Sequence, residues 1–179
     1  LGFKGEIYSQ RRNNALKDLS FEAACKINFS NLSAIYGFGA DTELAHAMSV
    51  STQVADILYP QLTAGIAPTI VPVGIDQDPH IRLTRDVTNA LRMFFVEDRK
   101  THISIRAKNA SPEAISAVAK AFKGSKKYEG HIDLPAGFTV DEVETVVRRI
   151  EQEFGGFGFM LPSSTYHSFL MGLQGGKMS

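Results

Sequence analysis

Residues 69–75 (Thr-Ile-Val-Pro-Val-Gly-Ile) form a short apolar run rich in β-branched side chains, and Asp76-Gln77-Asp78-Pro79 follows at once. Such a run suits a buried strand and is too short to be a helix of its own. Pro72 inside it puts it near a strand end or beside an unpaired edge, because proline donates no ladder hydrogen bond. Asp78 fits an N-cap and Pro79 a first helical residue. Residues 79–93 then read as a helix with Leu83, Val87, Ala90, Leu91 and the following Phe94 on one side, and with Arg82, Arg85, Asp86 and Arg92 largely on the other. Upstream, Asp41 can cap a helix reaching Leu58, with Leu44, Met48, Val54 and Leu58 as its apolar side. Tyr59-Pro60 ends it, since the residue before a proline avoids the helical region. Helix, strand and helix in succession predict an α/β domain with a mainly parallel sheet.

The flanking segments are less constrained. A polar stretch over residues 5–27 leads into a helical run at 21–26, with a turn at 28–31. After Phe95 the pattern changes. Residues 101–108 alternate, with Ile103 and Ile105 on one face, and Ser111-Pro112-Glu113 opens a helix carrying Ile115, Val118 and Phe122. Residues 131–134 alternate again, and Thr139 with Glu142 forms a capping box before a helix bearing Val143, Val147 and Ile150. This β-α-β-α block predicts a small inserted module over 99–159, between a catalytic domain at 1–98 and its return at 160–179. Residues 1–98 carry a net charge of −3 and residues 99–179 a net charge of +3, which agrees with a boundary there.

Composition excludes several classes. The chain has 179 residues, 44% hydrophobic and 21% charged, a balance that fits a globular core. No apolar run approaches the roughly 20 residues of a membrane-spanning helix. Cys25 is the single cysteine, so neither an internal disulfide nor a thiolate metal cluster can form, and a reducing compartment fits. Nineteen basic residues balance nineteen acidic ones, which rules out a strongly cationic coat but leaves room for a local basic face. The sequence opens on Leu1, stops at Lys177-Met178-Ser179 and shows no signal peptide; it reads as a fragment.

Familiar motifs fail first. Gly172 to Lys177 resembles a phosphate loop, but Met171 and Met178 stand where a glycine and a Ser or Thr are needed. The five histidines never pair at metal-ligand spacing, and no metal site is predicted. Gly74-Ile75-Asp76-Gln77-Asp78 sits where a strand gives way to a helix, the place where open α/β sheets bind ligands. Gly74 permits close approach of a ligand to the backbone, Asp76 can accept from ribose hydroxyls, and Gln77 offers a donor and an acceptor. The same residues also read as a plain turn. Asp76 and Asp78 also spell Asp-x-Asp, which can hold a divalent ion on a nucleotide sugar and so raises a metal-dependent glycosyl transferase as an alternative. Gly175-Gly176-Lys177 is a glycine hinge with a cation that could close on a phosphate chain, or a solvated end.

Gly74-x-Asp76-Gln77 at a strand end, followed by a helix and by Lys177-Met178-Ser179 after a glycine-rich stretch, resembles the catalytic domain of class I aminoacyl-tRNA synthetases. In detail the chain is similar to the tryptophanyl-tRNA synthetases. Ala55-Asp56-Ile57-Leu58-Tyr59, Ile70-Val71-Pro72-Val73-Gly74 and Leu83-Thr84-Arg85-Asp86 look like the bacterial form. Tyr36-Gly37-Phe38-Gly39, Ile75-Asp76-Gln77-Asp78-Pro79 and His167-Ser168 with Leu173-Gln174-Gly175 look like the archaeal and eukaryotic form. The resemblance implies a Rossmann-like nucleotide-binding domain. It implies an enzyme that joins tryptophan to ATP, with Mg2+ helping, and passes the tryptophanyl group to tRNA(Trp). A cytoplasmic homodimer, not a membrane protein, is implied. Gly74 and Asp76 would lie against the adenosine ribose, and Gln77 would take the amino or carboxylate end of tryptophan. Gln53 would line the amino-acid pocket, and Asp56 matches the bacterial aspartate that accepts from the indole N–H, so either of the two would read the indole. Lys177 would be the catalytic cation on the phosphates, with Met178 and Ser179 beside it at the ATP site.

The family's other signature, His-x-Gly-His, is absent, and the second half of the Lys-Met-Ser motif is not reached; inactivity of the isolated fragment is the expectation. A decayed paralogue that only binds nucleotide or RNA is a second alternative. Residues 99–159 match nothing in the family pattern. Lys120, Lys123, Lys126 and Lys127 there complement a helix end, or contact tRNA phosphates.

Overall fold

A computed structural model of the chain describes residue 2 and residues 4–168. Its helices are α1 (Asn14–Ala24), α2 (Phe29–Tyr36), α3 (Leu44–Thr63), α4 (Asp78–Leu91), α5 (Pro112–Ala121) and α6 (Val140–Glu153). Its strands are β1 (Ile70–Gly74), β2 (Phe94–Arg99), β3 (His102–Ala107), β4 (Lys126–Lys127), β5 (His131–Asp133) and β6 (Ser163–His167). Two compact units divide the chain. The first takes the chain up to Pro60, Thr69–Val87 and the segment from Pro162; the second takes Gln61–Pro68 and Thr88–Leu161.

In the first unit β1 pairs with β6 in parallel, from Ile70 opposite Ser163 to Gly74 opposite His167. A parallel pair needs a long crossover, and here all of the chain between Gly74 and Ser163 intervenes. The core is helical: Leu16, Leu19, Val54, Leu58, Ile81 and Leu83 are buried. β1 is not the buried strand that its composition predicts, because Ile70 stays 65% exposed. The apolar side of α3 is also rotated from the predicted one: Leu44 and Met48 lie at the surface, and Val50, Val54 and Leu58 are inside.

Three local predictions need correction. Residues 28–31 are not a turn; Asn28 caps α2, its side chain accepting from the Asn31 N–H at 2.8 Å. Pro60 does not end α3, which runs on to Thr63. The continuation is anchored by Gln61, whose Nε2 donates to the Met160 carbonyl at 3.1 Å while its Oε1 accepts from the Met160 N–H at 2.8 Å. Asp78 is not an N-cap. A 3-10 turn over Ile75–Gln77 winds the chain first, so Asp78 already has helical angles (φ −54°, ψ −41°) and is the first residue of α4.

The second unit holds an antiparallel sheet in the order β2-β3-β5-β4, with α5 and α6 on one face. The predicted β-α-β-α order is present as β3, α5, β5 and α6. Two further strands extend it: β2, whose Phe94 and Phe95 carry on the apolar pattern of α4, and β4, which contains Lys126 and Lys127. Those two lysines therefore belong to a strand, not to a helix end. Ile105, Val118, Ile132, Val143 and Val147 fill the core. Thr139 and Glu142 make the full capping box. Arg92, expected at the surface, is buried; its Nε and Nη2 each donate to the Phe159 carbonyl at 3.1 Å. Among the described residues no helix is long and apolar enough to cross a membrane.

Candidate functional site

The carboxyl end of β1 and the 3-10 turn after it carry the predicted ligand residues in the first unit. Gly74 closes β1 and is half-buried, Asp76 is exposed, and Gln77 is half-buried. One helix away, Gln53 on α3 donates from Nε2 to Oε1 of Gln77 at 3.1 Å. Gln77 in turn reaches Asp76, Nε2 to Oδ2 at 3.5 Å. Gln53, Gln77 and Asp76 thus form a chain of polar side chains at a strand end, the place where open α/β sheets bind ligands.

Asp56 is placed in a different set of contacts. It lies one turn from Gln53 on α3, but its carboxylate accepts from the Tyr8 hydroxyl at 3.2 Å and from the Gln10 side-chain amide. Tyr8 packs on Tyr59, ring centroids 5.0 Å apart. Burial, followed by the Asp56 charge, pushes the Tyr8 phenol up to about 12.

Two residues without a role in the sequence argument border the same strand end. His80, on the first turn of α4, meets the Tyr36 hydroxyl at 2.8 Å through Nδ1, and the two rings are 4.8 Å apart. Burial lowers the His80 pKa, against the pull of Asp76, and burial pushes Tyr36 up to about 12. Both groups are therefore neutral at pH 7, and the 2.8 Å contact is a neutral hydrogen bond whose donor is set by the His80 tautomer. The available signal was spacing: His80 stands three residues beyond Gln77 at a helix start.

Asp78 is engaged elsewhere. Its carboxylate accepts from the Tyr166 hydroxyl of β6 and pairs with Arg82 Nε at 2.6 Å. The Tyr166 hydrogen bond, with Arg82, holds its carboxyl below the usual range. Asp76 and Asp78 are thus not a matched pair of metal ligands. Among the described residues no group of three or more His, Cys, Asp or Glu could hold a metal ion. A cavity of about 510 Å3 between α1 and α3 is lined by Leu16, Phe21, Met48 and Thr52 but not by Gln53 or Gln77, so it is separate from the polar strand end. Lys177, Met178 and Ser179 lie outside the described residues.

Comparison with known proteins gives a consistent result. The family model described as tRNA synthetases class I (W and Y) matches residues 4–127. A tryptophan--tRNA ligase of Methanosarcina acetivorans is 50% identical, over 100% of this chain and 44% of that protein. The corresponding ligase of Archaeoglobus fulgidus is 46% identical, over 97% of this chain and 41% of its own length. The crystal structure of a tryptophanyl-tRNA synthetase from Aeropyrum pernix K1 superposes with a TM-score of 0.53 at 27% identity, covering 99% of this chain and 32% of that one. The chain therefore spans less than half the length of these relatives.

Proposed function

The chain belongs to the class I tRNA synthetases of the tryptophan and tyrosine group, and we propose that the whole protein activates tryptophan with ATP and transfers it to tRNA(Trp). Its fold agrees with that membership: α/β, with a parallel pair resembling the Rossmann-like sheet of the archaeal synthetase. The observation that carries the site assignment is the Gln53–Gln77 hydrogen bond at the end of β1.

In this reading Gly74 and Asp76 bind the adenosine ribose. Gln77 holds the polar end of tryptophan. Gln53 spends its NH2 on Gln77 and keeps its carbonyl to accept the indole N–H. Asp56, occupied by Tyr8 and Gln10, borders the pocket and does not read the indole. The tryptophan carboxylate attacks the α-phosphate in line and pyrophosphate leaves, so catalysis is mainly positioning and charge stabilisation. Lys177 is assigned to the phosphates and the leaving pyrophosphate, with Met178 and Ser179 beside it. Mg2+, when bound, would supply positive charge that helps neutralise the ATP phosphates. Residues 1–98 and 160–179 are read as one catalytic domain interrupted by the 99–159 module; the parallel β1–β6 pairing supports an insertion between them, although the compact second unit already begins at Thr88 and takes in β2. A homodimer in the cytoplasm completes the reading.

The test is pyrophosphate exchange by the full-length protein. Exchange driven by tryptophan and not by tyrosine is expected. ATP binding without exchange would replace this reading with that of a non-catalytic paralogue. The nucleotide-sugar transferase alternative is set aside, because Asp78 is already held by Tyr166 and Arg82 and the relatives are ligases.

A further inference from the structure

The second unit covers only one face of its sheet with helices. The register places Arg99 beside His102, then Glu97, Ser104, Asp133 and Lys126 in one cross-strand row, and Phe95, Arg106 and His131 in the next. These alternate with Ile103, Ile105 and Ile132, which point into the core. The row of residues away from the helices is open: Arg106 is 58% exposed and Arg99 49%.

The chemistry of this face is cationic with aromatic platforms. Arg99 and Arg106 both lean on the single carboxylate of Glu97, at 2.5 and 3.5 Å. His102 and His131 both lean on Asp133, at 3.5 and 3.7 Å. Lys126 adds a further cation, and Lys108 lies over the Phe95 ring, 5.4 Å from its centroid. Four fixed cations thus face two carboxylates. Tyr128 stacks on His131, centroids 4.6 Å apart and planes 11° from parallel. Two depressions of about 190 and 300 Å3 meet at His102 and Asp133, forming one trough from Arg99 and Arg106 to Lys126 and Tyr128.

A trough with shared-carboxylate arginines along its wall and a stacked, exposed aromatic at its end fits a single-stranded polyanion. Guanidinium groups bind phosphates, and a flat ring pair accepts an unstacked base. We propose that the helix-free face of the β2-β3-β5-β4 sheet is an RNA-binding surface that takes an unpaired segment of the protein's tRNA. Arg99 and Arg106 hold its phosphates, and Tyr128 with His131 stacks a base. Glu97 presets the two guanidinium groups. The proposal rests on the tRNA-ligase reading for the identity of the RNA, not for the existence of the surface.

The experiment uses the full-length protein and a tRNA(Trp) transcript, measuring binding by fluorescence anisotropy over a range of salt concentrations, alongside tryptophan-dependent pyrophosphate exchange. In Arg99→Gln/Arg106→Gln, Kd should rise about tenfold, and the slope of log Kd against log salt should fall by about 1.4, as expected for two lost phosphate contacts on a single strand. Exchange should stay at the wild-type level, because the adenylate step uses no RNA. Tyr128→Ala should weaken binding without changing the salt slope; as a surface change it also guards against a misfolded arginine variant. Unchanged Kd and slope in both variants would overturn the proposal. Failed exchange by the wild-type protein would overturn the tryptophan reading and leave the RNA measurement standing by itself.

Discussion

The side-chain amide of Gln53, in the middle of α3, donates to the side-chain carbonyl of Gln77, at the carboxyl end of β1, across 3.1 Å. The two residues are 24 positions apart, and only the fold brings them together. A neutral hydrogen bond of this kind contributes about 0.5–1.5 kcal/mol net. A double-mutant cycle on thermal stability with Gln53→Ala and Gln77→Ala should therefore return a coupling of about 1 kcal/mol. Strict additivity would show that the contact is absent in solution.

The Tyr36–His80 pair sets two limbs of a stability profile. Tyr36 is raised from 10 to about 12, so its contribution is complete below pH 10 and is lost as pH rises towards 12, where the unfolded chain ionises first. His80 is lowered from 6.5, so its contribution is complete above pH 6.5 and is lost as pH falls through its folded value. Melting temperature against pH should show both declines. His80→Gln should flatten the acid limb, and Tyr36→Phe should soften the alkaline one, with Tyr8, also near 12, retaining part of it.

In the second unit, Arg148 is fully buried and joins Glu151 at 2.6 Å, Glu144 at 2.8 Å and the Phe94 carbonyl at 2.8 Å. Glu151 accepts the backbone N–H groups of Met93 and Phe94, and burial raises its pKa despite Arg148. Arg148→Met would leave that carboxylate buried without its cation, at a cost of about 3–5 kcal/mol. Glu151→Gln keeps an acceptor for the two N–H groups and should cost less. Urea midpoints of the two variants decide the order.

Gly158 is a backbone requirement. Its φ is +65°, and a Cβ would stand 2.3 Å from the Arg148 carbonyl oxygen. Gly158→Ala should destabilise by at least about 2 kcal/mol. At Gly130 nothing lies within 4 Å of an added Cβ, and alanine there should stay within about 0.5 kcal/mol. Equal melting temperatures for the two variants would refute the clash.

Local grammar was the legible part of the fold. Ser111 and Thr139 cap their helices as their side chains predict, because a cap depends on neighbours three residues away. The strand, turn and helix around Gly74 were legible for the same reason. Arg92 and Arg148 were not, since amphipathic spacing assigns a charged residue to water unless distant partners such as Phe159 and Phe94 are already known to lie alongside. β2 was hidden because Phe94 and Phe95 prolong the apolar pattern of α4. At the site, resemblance pointed to Gln53, Asp56 and Gln77, but only the fold separates Gln53, which meets Gln77, from Asp56, which meets Tyr8 and Gln10.

The KM for tryptophan in pyrophosphate exchange by the full-length protein tests the central assignment most directly. With Gln53→Ala and with Gln77→Ala it should rise about tenfold or more, the cost of a polar contact of about 1–3 kcal/mol left unmade. Gln53→Ala should leave the KM for ATP unchanged. A tryptophan KM equal to wild type in both variants would contradict the account.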